Sequence, residues 1–323
     1  MLPTPRLRSI LIIIASLFII RSLFRLSTDD ASARTFLSTI SPSQKYAYCT
    51  FLSPSPSVAG AASNTLRNED HYFLGVRMLA YRLLHDPSTR TNHSIPLIVL
   101  VTRDVPQAHR DRLQKDGATV LEISPILFEW IKPGRERWKR VLDKLHVFEL
   151  VQFDKILLLD SDIVIVKPLD AIFEDSSAEV QQSLDDTNKI HQDESPQPSS
   201  YLLAAAGDTD RDHGLNAGFV LLQPSREMYQ HYLSIAAIEG RFNGSWPEQD
   251  LWNYAHRLDG NMPWKQIHRQ WVTNSPWYSD YENGSVSLHE KYWGCGRDKD
   301  LRDILLRTRF EMEGFFEGRD ELS

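Results

Sequence analysis

The run Ile156-Leu157-Leu158-Leu159 is apolar without interruption, and it is followed at once by Asp160-Ser161-Asp162 and then by Ile163-Val164-Ile165. A continuous apolar run this short reads as a strand buried on both faces, the kind that belongs to a parallel sheet. If the strand continues, residues i and i+2 point the same way, so Asp160 and Asp162 can meet one cation. Hard divalent ions such as Mg²⁺ and Mn²⁺ favour carboxylate oxygens and complete their shells with phosphate and water. Taken alone, the same triplet is equally consistent with two acids that cap a turn or face solvent. The surrounding pattern has to decide.

That pattern alternates. Tyr46 to Leu52 is apolar and β-prone, and a Ser-Pro-Ser-Pro stretch ends it. Phe73, Val76, Leu79, Ala80, Leu83 and Leu84 recur at helical spacing, and Pro96 to Thr102 is again a buried strand. A helix from about Pro106 to Lys115, a strand over Thr119–Ile123, a helix from about Trp138 to Gln152 and a strand over Lys155–Leu159 follow. Strands alternating with helices predict an α/β fold with a mostly parallel sheet, whose ligands bind beyond the carboxyl ends of the strands. Residues 176–200 are rich in Ser, Gln, Asp and Pro, carry a charge of −4 and contain few large apolar residues. They read as a disordered insertion. An apolar run over Tyr201–Ala206, a strand over Gly218–Leu222 and helices near Arg226–Glu239 and Glu248–His256 complete a domain expected over 45–310, with 311–323 a solvated tail. No internal repeat is visible.

Residues 1–26 carry Arg6, Arg8, Arg21 and Arg25 and no acid. Ser9–Ile20 is too short by itself for a bilayer of about 30 Å, but snorkelling arginines extend Leu7–Leu26 towards the roughly 20 residues a spanning helix needs. An uncleaved signal anchor is therefore expected over 1–26, with a Ser/Thr/Asp-rich stem over 27–44; a cleaved signal peptide is the alternative. Both place the body in the secretory lumen, as do the sequons at Asn92, Asn243 and Asn283. Two cysteines, Cys49 and Cys295, define no disulfide framework and either pair or remain free. The net charge of −7 gives no electrostatic footprint for nucleic acid.

Asp143-Lys144-Leu145-His146, then Asp160-Ser161-Asp162, then Leu215-Asn216-Ala217-Gly218 running to Ser225, then Glu248-Gln249-Asp250-Leu251-Trp252-Asn253 form an ordered set. Over roughly residues 45–295 this set resembles the glycogenin-type glycosyltransferases, the retaining family eight. The resemblance implies a GT-A-type Rossmann-like nucleotide-diphospho-sugar transferase fold, a UDP-sugar donor and Mn²⁺ (or Mg²⁺). It implies Asp160, Asp162 and His289 as metal ligands, with Ser161 between the two acids, and Lys144 as a donor contact. It further implies Asn216, Glu248 and Gln249 as sugar-facing residues, Asp208 as an acid near the donor sugar, and Thr50 and Leu52 as nucleoside contacts. Two departures are visible: glycogenins carry an aspartate at the position of Glu248, and the family's Gly and Lys-Pro-Trp after the histidine are not at their spacings here, leaving Lys291 as the substitute lysine.

The expected activity is transfer of a hexose or N-acetylhexosamine to a glycan or glycoprotein acceptor, with anchorage in the Golgi membrane; the ER or secretion is the alternative address, and a homodimer is among the expectations. Some fungal Golgi enzymes that resemble this family transfer N-acetylglucosamine. Two other classes compete. A haloacid-dehalogenase-type phosphatase would use Asp160-Ser161-Asp162 as its nucleophile motif and Gly207 to Asp212 as its late acidic motif, and a lectin-like protein would keep the fold without turnover. An acidic chain binds a diphosphate only through mediating cations, so its charge makes the expected metal a requirement.

Overall fold

The computed structural model describes residues 45–54, 69–208 and 214–322. The expected anchor and stem lie outside the described residues. Among the described residues no helix is long and apolar enough to cross a membrane.

Strand β1 (Tyr46–Leu52) is followed by helix α1 (His71–Leu84), whose N-cap Asp70 accepts a hydrogen bond from Phe73 N at 3.1 Å. Then come β2 (Leu97–Thr102), α2 (Gln107–Lys115) and β3 (Thr119–Ile123), and, after an irregular stretch, β4 (Lys155–Leu159) and β5 (Ile163–Ile165). The two-residue strands β6 (Gln181–Gln182) and β7 (Ser200–Tyr201) pair with each other and precede β8 (Leu203–Gly207) and β9 (Leu215–Leu222). Helices α3 (Arg226–Ala236) and α4 (Pro247–Ala255), strands β10 (Lys265–Gln266) and β11 (Thr273–Asn274), helix α5 (Tyr278–Glu282), strand β12 (Ser287–His289) and helix α6 (Lys299–Glu321) complete the order.

The main sheet runs β10-β8-β9-β4-β1-β2-β3. Strands β3, β2, β1 and β4 are mutually parallel, β9 is antiparallel to both of its neighbours, and β10 is parallel to β8. The expected α/β fold with a mostly parallel sheet is the one observed. All six residues of β2 are buried, and the apolar residues of β1 and β4 form the centre of the core with Val76, Leu79, Ala80 and Leu83 of α1. This is what continuous apolar strands require, since each face must be covered. A second sheet, β11-β12-β5, begins where the chain leaves β4.

Three expectations change. The segment 138–152 is not an α-helix but two stretches of 3-10 winding, Glu136–Trp138 and Val141–Glu149. Seven of the nine residues in the second are buried, Asp143 and Lys144 included, so packing on nearly every side overrides a pattern that resembled one apolar face. The segment 176–200 is ordered. Its polar atoms are tied to the domain: Leu184 N donates to Asn261 O at 2.9 Å, Ser195 N donates to Ser234 Oγ at 2.8 Å, and Tyr254 OH donates to Glu194 at 2.7 Å. Composition registered few apolar groups but not these partners. The third change is the C-terminus, where residues 311–321 continue α6 and bury Met312 and Phe316. Both cysteines are buried and free, Cys49 on β1 and Cys295 before α6.

Candidate active site

The site lies where β4 hands the chain from one sheet to the other. Asp160 N donates to Gly218 O on β9 at 2.7 Å, and Ile163 N donates back to Asp160 O at 3.1 Å, so Asp160-Ser161-Asp162 forms a tight turn at the carboxyl end of β4. Helix α1 fixes its outer side: a Cβ on Gly75 would lie 2.0 Å from the Ser161 carbonyl oxygen, so only glycine permits this approach. The antiparallel pairing of β5 with β12 sets His289 opposite Ile163, and Glu290 N donates to Asp162 O at 3.2 Å. A histidine 127 positions away is thereby brought to the turn. One ligand atom each from Asp160, Asp162 and His289 lie within 4.8 Å of one another. Two carboxylates and an imidazole suit a divalent ion such as Mn²⁺ or Mg²⁺.

His289 is held from both nitrogens. Its Nε2 lies 3.2 Å from Asp162 Oδ1, and its Nδ1 lies 3.0 Å from Asn274 Oδ1. Lys291 Nζ donates to Asp162 Oδ2 at 2.5 Å. Burial works against the charge on Asp162, but His289 and then Lys291 outweigh it and hold the carboxyl well below the usual range. Burial and Lys291 disfavour a charged histidine, but Asp162 and then Asp160 outweigh them and raise His289 above its ordinary value.

Lys144, only 4% exposed, donates to Asp160 Oδ1 at 2.7 Å and to Glu248 Oε1 at 2.8 Å. Burial disfavours its charge, yet Asp160 and then Glu248 keep it protonated above the normal lysine range. Glu248 and Gln249 occupy the first turn of α4, which starts with Pro247 at its first helical position. Gln249 Oε1 accepts from Ala217 N at 3.0 Å and its Nε2 donates to Asp208 Oδ2 at 2.8 Å, leaving one N–H and one lone pair of the amide for a ligand. Asn216 Oδ1 accepts from Gly218 N at 2.9 Å.

Asp160, Ser161, Asp162, His289, Lys144, Asn216, Glu248, Gln249 and Leu52 line one cavity. Two expected site residues do not. Thr50 points into the core of β1 and is fully buried, since it stands two residues before the strand end where the cavity opens. Asp208 is set behind Gln249 rather than on the wall. Sequence reasoning missed Tyr72, Arg135, Arg137, Trp138 and Trp246, which line the cavity as well. The signal available for three of them was the basic run Lys132 to Arg140 in an acidic chain.

A mostly parallel sheet that delivers two acids at the end of a central strand, joined there by a histidine and a buried lysine, defines a GT-A-type nucleotide-sugar transferase. The family model for glycosyl transferase family 8 matches residues 64–292, and the chain belongs to that family. An uncharacterized protein of Schizosaccharomyces pombe is 32% identical over 271 residues, covering 71% of each chain. Galactinol synthase 10 of Arabidopsis thaliana is 26% identical over 293 residues, covering 80% of each. Among solved structures, the apo form of the glycosyltransferase GlyE of Streptococcus pneumoniae TIGR4 superposes with a TM-score of 0.51 at 16% identity, over 85% of this chain and 64% of that one, a likeness of fold. Family membership removes the phosphatase reading.

Proposed function

We propose that the protein is a metal-dependent, retaining glycosyltransferase that moves a hexose or an N-acetylhexosamine from a UDP-sugar to a glycan or glycoprotein acceptor. The observation that carries this reading is the convergence of Asp160, Asp162 and His289 beside the buried ammonium of Lys144. These three residues would hold Mn²⁺ or Mg²⁺, which when bound offsets negative charge developing on a leaving diphosphate. Lys144 places a second positive charge at the same point without any proton transfer, because its pairing with Asp160 and Glu248 keeps it charged. Leu52, with Phe51, Ser53 and Pro54, forms the wall at the end of β1 that would receive the nucleoside.

Asn216, Glu248 and Gln249 would orient the donor sugar. Glu248 is engaged by Lys144, and Asp208 accepts from Gln249. That arrangement supports attack on the same face of the sugar with these residues holding it, rather than a covalent carboxylate intermediate. The likeness to proteins named galactinol synthases supports trying UDP-galactose beside UDP-glucose and UDP-N-acetylglucosamine.

The test is UDP release by the purified chain from each of the three donors, with Mn²⁺ or with EDTA. Release that requires the ion and falls at least about a hundredfold in Asp162→Ala is expected. Full activity of that variant would remove the metal assignment, and tight donor binding without any release would favour a lectin-like role. We also propose that residues 1–26 anchor the protein in the Golgi membrane with its domain in the lumen. The asparagines of all three sequons are exposed, which supports a lumenal address. A mass shift on glycosidase treatment of protein from cells tests it; no shift, with protease-accessible protein in sealed microsomes, refutes it.

A further inference from the structure

The segment Lys132 to Arg140 holds five cations and one acid. Lys139 is paired with Glu136 at 2.5 Å and Arg140 with Asp143 at 2.6 Å. Arg135 and Arg137 are different. Both line the cavity, and neither has a carboxylate within ion-pair distance among the described residues. Their guanidinium carbons lie 5.1 and 5.2 Å from the ring centre of Trp138. Trp138 lies 4.3 Å from Trp246, centre to centre, at a tilt of 34°. Trp246 is 36% exposed and lines the same cavity.

This rim is built rather than incidental. Gly134 N donates to Ser245 O at 2.8 Å, and a Cβ on Gly244 would already touch Ile131 at 3.2 Å, so the loops carrying the two tryptophans are fastened together. Trp246 precedes Glu248 by two residues, while Arg137 lies close enough to Tyr72 and Lys291 for their charges to interact. The rim therefore runs from beside Glu248 towards Lys291.

The charges do not balance within the cavity. Four lining cations, Lys144, Lys291, Arg135 and Arg137, face three lining carboxylates, Asp160, Asp162 and Glu248. A divalent ion and the two charges of a donor diphosphate offset each other, so binding both leaves the positive excess in place. A planar guanidinium pairs with phosphate or carboxylate through two parallel hydrogen bonds, and an indole offers a flat apolar face.

We propose that Arg135, Arg137, Trp138 and Trp246 form the acceptor subsite, and that it takes a sugar carrying an anionic group, either phosphate or carboxylate. Trp246, backed by Trp138, meets the apolar face of the ring, while the two arginines meet the anion. The inference rests on the glycosyltransferase reading of the same cavity. The experiment separates the two, because UDP affinity in the presence of Mg²⁺ is measured first and reports the donor site alone.

Calorimetric titrations of the full chain with glucose, glucose 6-phosphate and glucuronic acid, each with and without saturating UDP and Mg²⁺, then report the rim. At least one anionic sugar is expected to bind about tenfold more tightly than glucose, a difference of about 1.4 kcal/mol. A gain for glucose 6-phosphate alone identifies phosphate, and a gain for glucuronic acid alone identifies carboxylate. The double variant Arg135→Gln with Arg137→Gln should abolish the gain, the Arg→Lys pair should restore part of it, and Trp246→Ala should weaken all three sugars. Equal affinity of the three sugars for the unaltered chain, including no binding of any, overturns the proposal. So does a gain that survives the double variant, or a double variant that loses UDP affinity while keeping its sugar preference.

Discussion

His289 Nδ1 lies 3.0 Å from Asn274 Oδ1 while its Nε2 lies 3.2 Å from Asp162 Oδ1. An amide oxygen only accepts, so Nδ1 carries a proton, and Nε2, which faces Asp162, is the nitrogen whose lone pair would hold an ion once its own proton is lost. Asn274 is itself anchored, since its Nδ2 donates to Gly207 O at 3.0 Å. Asn274 is a positioning residue for the proposed ligand set. Replacing it with leucine should weaken Mn²⁺ binding roughly ten- to a hundredfold, the range found when the group orienting a metal-bound histidine is lost. Asn274→Asp, which still accepts from Nδ1, should retain most of the affinity. Electron paramagnetic resonance of free Mn²⁺ measures both without reference to turnover, and a leucine variant with unchanged affinity would refute the assignment.

Gly218 controls the same histidine from the other side. A Cβ there would lie 2.3 Å from His289 Cε1 and 3.0 Å from Nδ1, and the strand pairing of β9 with β4 leaves the backbone little room to retreat. Gly218→Ala should therefore displace the imidazole and reduce Mn²⁺ affinity by at least about tenfold, with an overpacking cost of about 1–3 kcal/mol. Gly75→Ala meets a backbone oxygen instead, so its effect should appear first as a lower midpoint of urea unfolding. Equal metal affinity in Gly218→Ala and the unaltered chain would mean that the ring is free to move.

The central strands and the two acids were legible because continuous apolar runs have few alternatives, and a parallel sheet fixes where its ligands go. The partnership of His289 with Asn274 was not. It depends on pairing among β5, β11 and β12, strands of two or three residues that carry no periodic signal. Lys144 was found by resemblance, although its winding was misread, because seven buried residues in nine mimic an apolar helix face. Trp138 ends a three-residue 3-10 turn and Trp246 stands at the N-cap of α4, positions where spacing says nothing about proximity.

His256 should make the fold acid-sensitive. It is fully buried, Nδ1 donates to Met262 O at 2.7 Å and Nε2 accepts from Tyr232 OH at 2.6 Å, which specifies the neutral ring. Burial, helped by the charge of His231 and opposed by the Met262 bond, lowers its pKa from 6.5 to about 3. Below pH 6.5 the unfolded chain takes up a proton that the folded chain refuses. Stability should therefore fall as pH drops from about 6.5 towards 3, by up to about 1.4 kcal/mol per pH unit. Urea midpoints at pH 7 and pH 5 measure this. His256→Gln should be less stable at pH 7 but show a smaller difference between the two pH values; an unchanged difference would assign the sensitivity to other groups.

The end of α6 is part of the core. Phe316 is 1% exposed and packs against Tyr81 and His85 of the α1 region, with the guanidinium carbons of Arg77, Arg112 and Arg319 at 5.1, 5.2 and 4.7 Å from its ring centre. Arg77 and Arg112 converge on Asp116, whose side chain is fully buried, so the ring and the ion pairs close one junction between α1, α2 and α6. Met312, four residues earlier, is also fully buried. Phe316→Ala should cost about 3–5 kcal/mol, read as a lower urea midpoint with an unchanged slope. Removing residues 311–323 should cost more, because Met312 is lost as well and Arg319 no longer reaches Asp116 at 3.4 Å. A chain ending at residue 310 that unfolds at the same urea concentration as the full chain would show that this helix end contributes no stability.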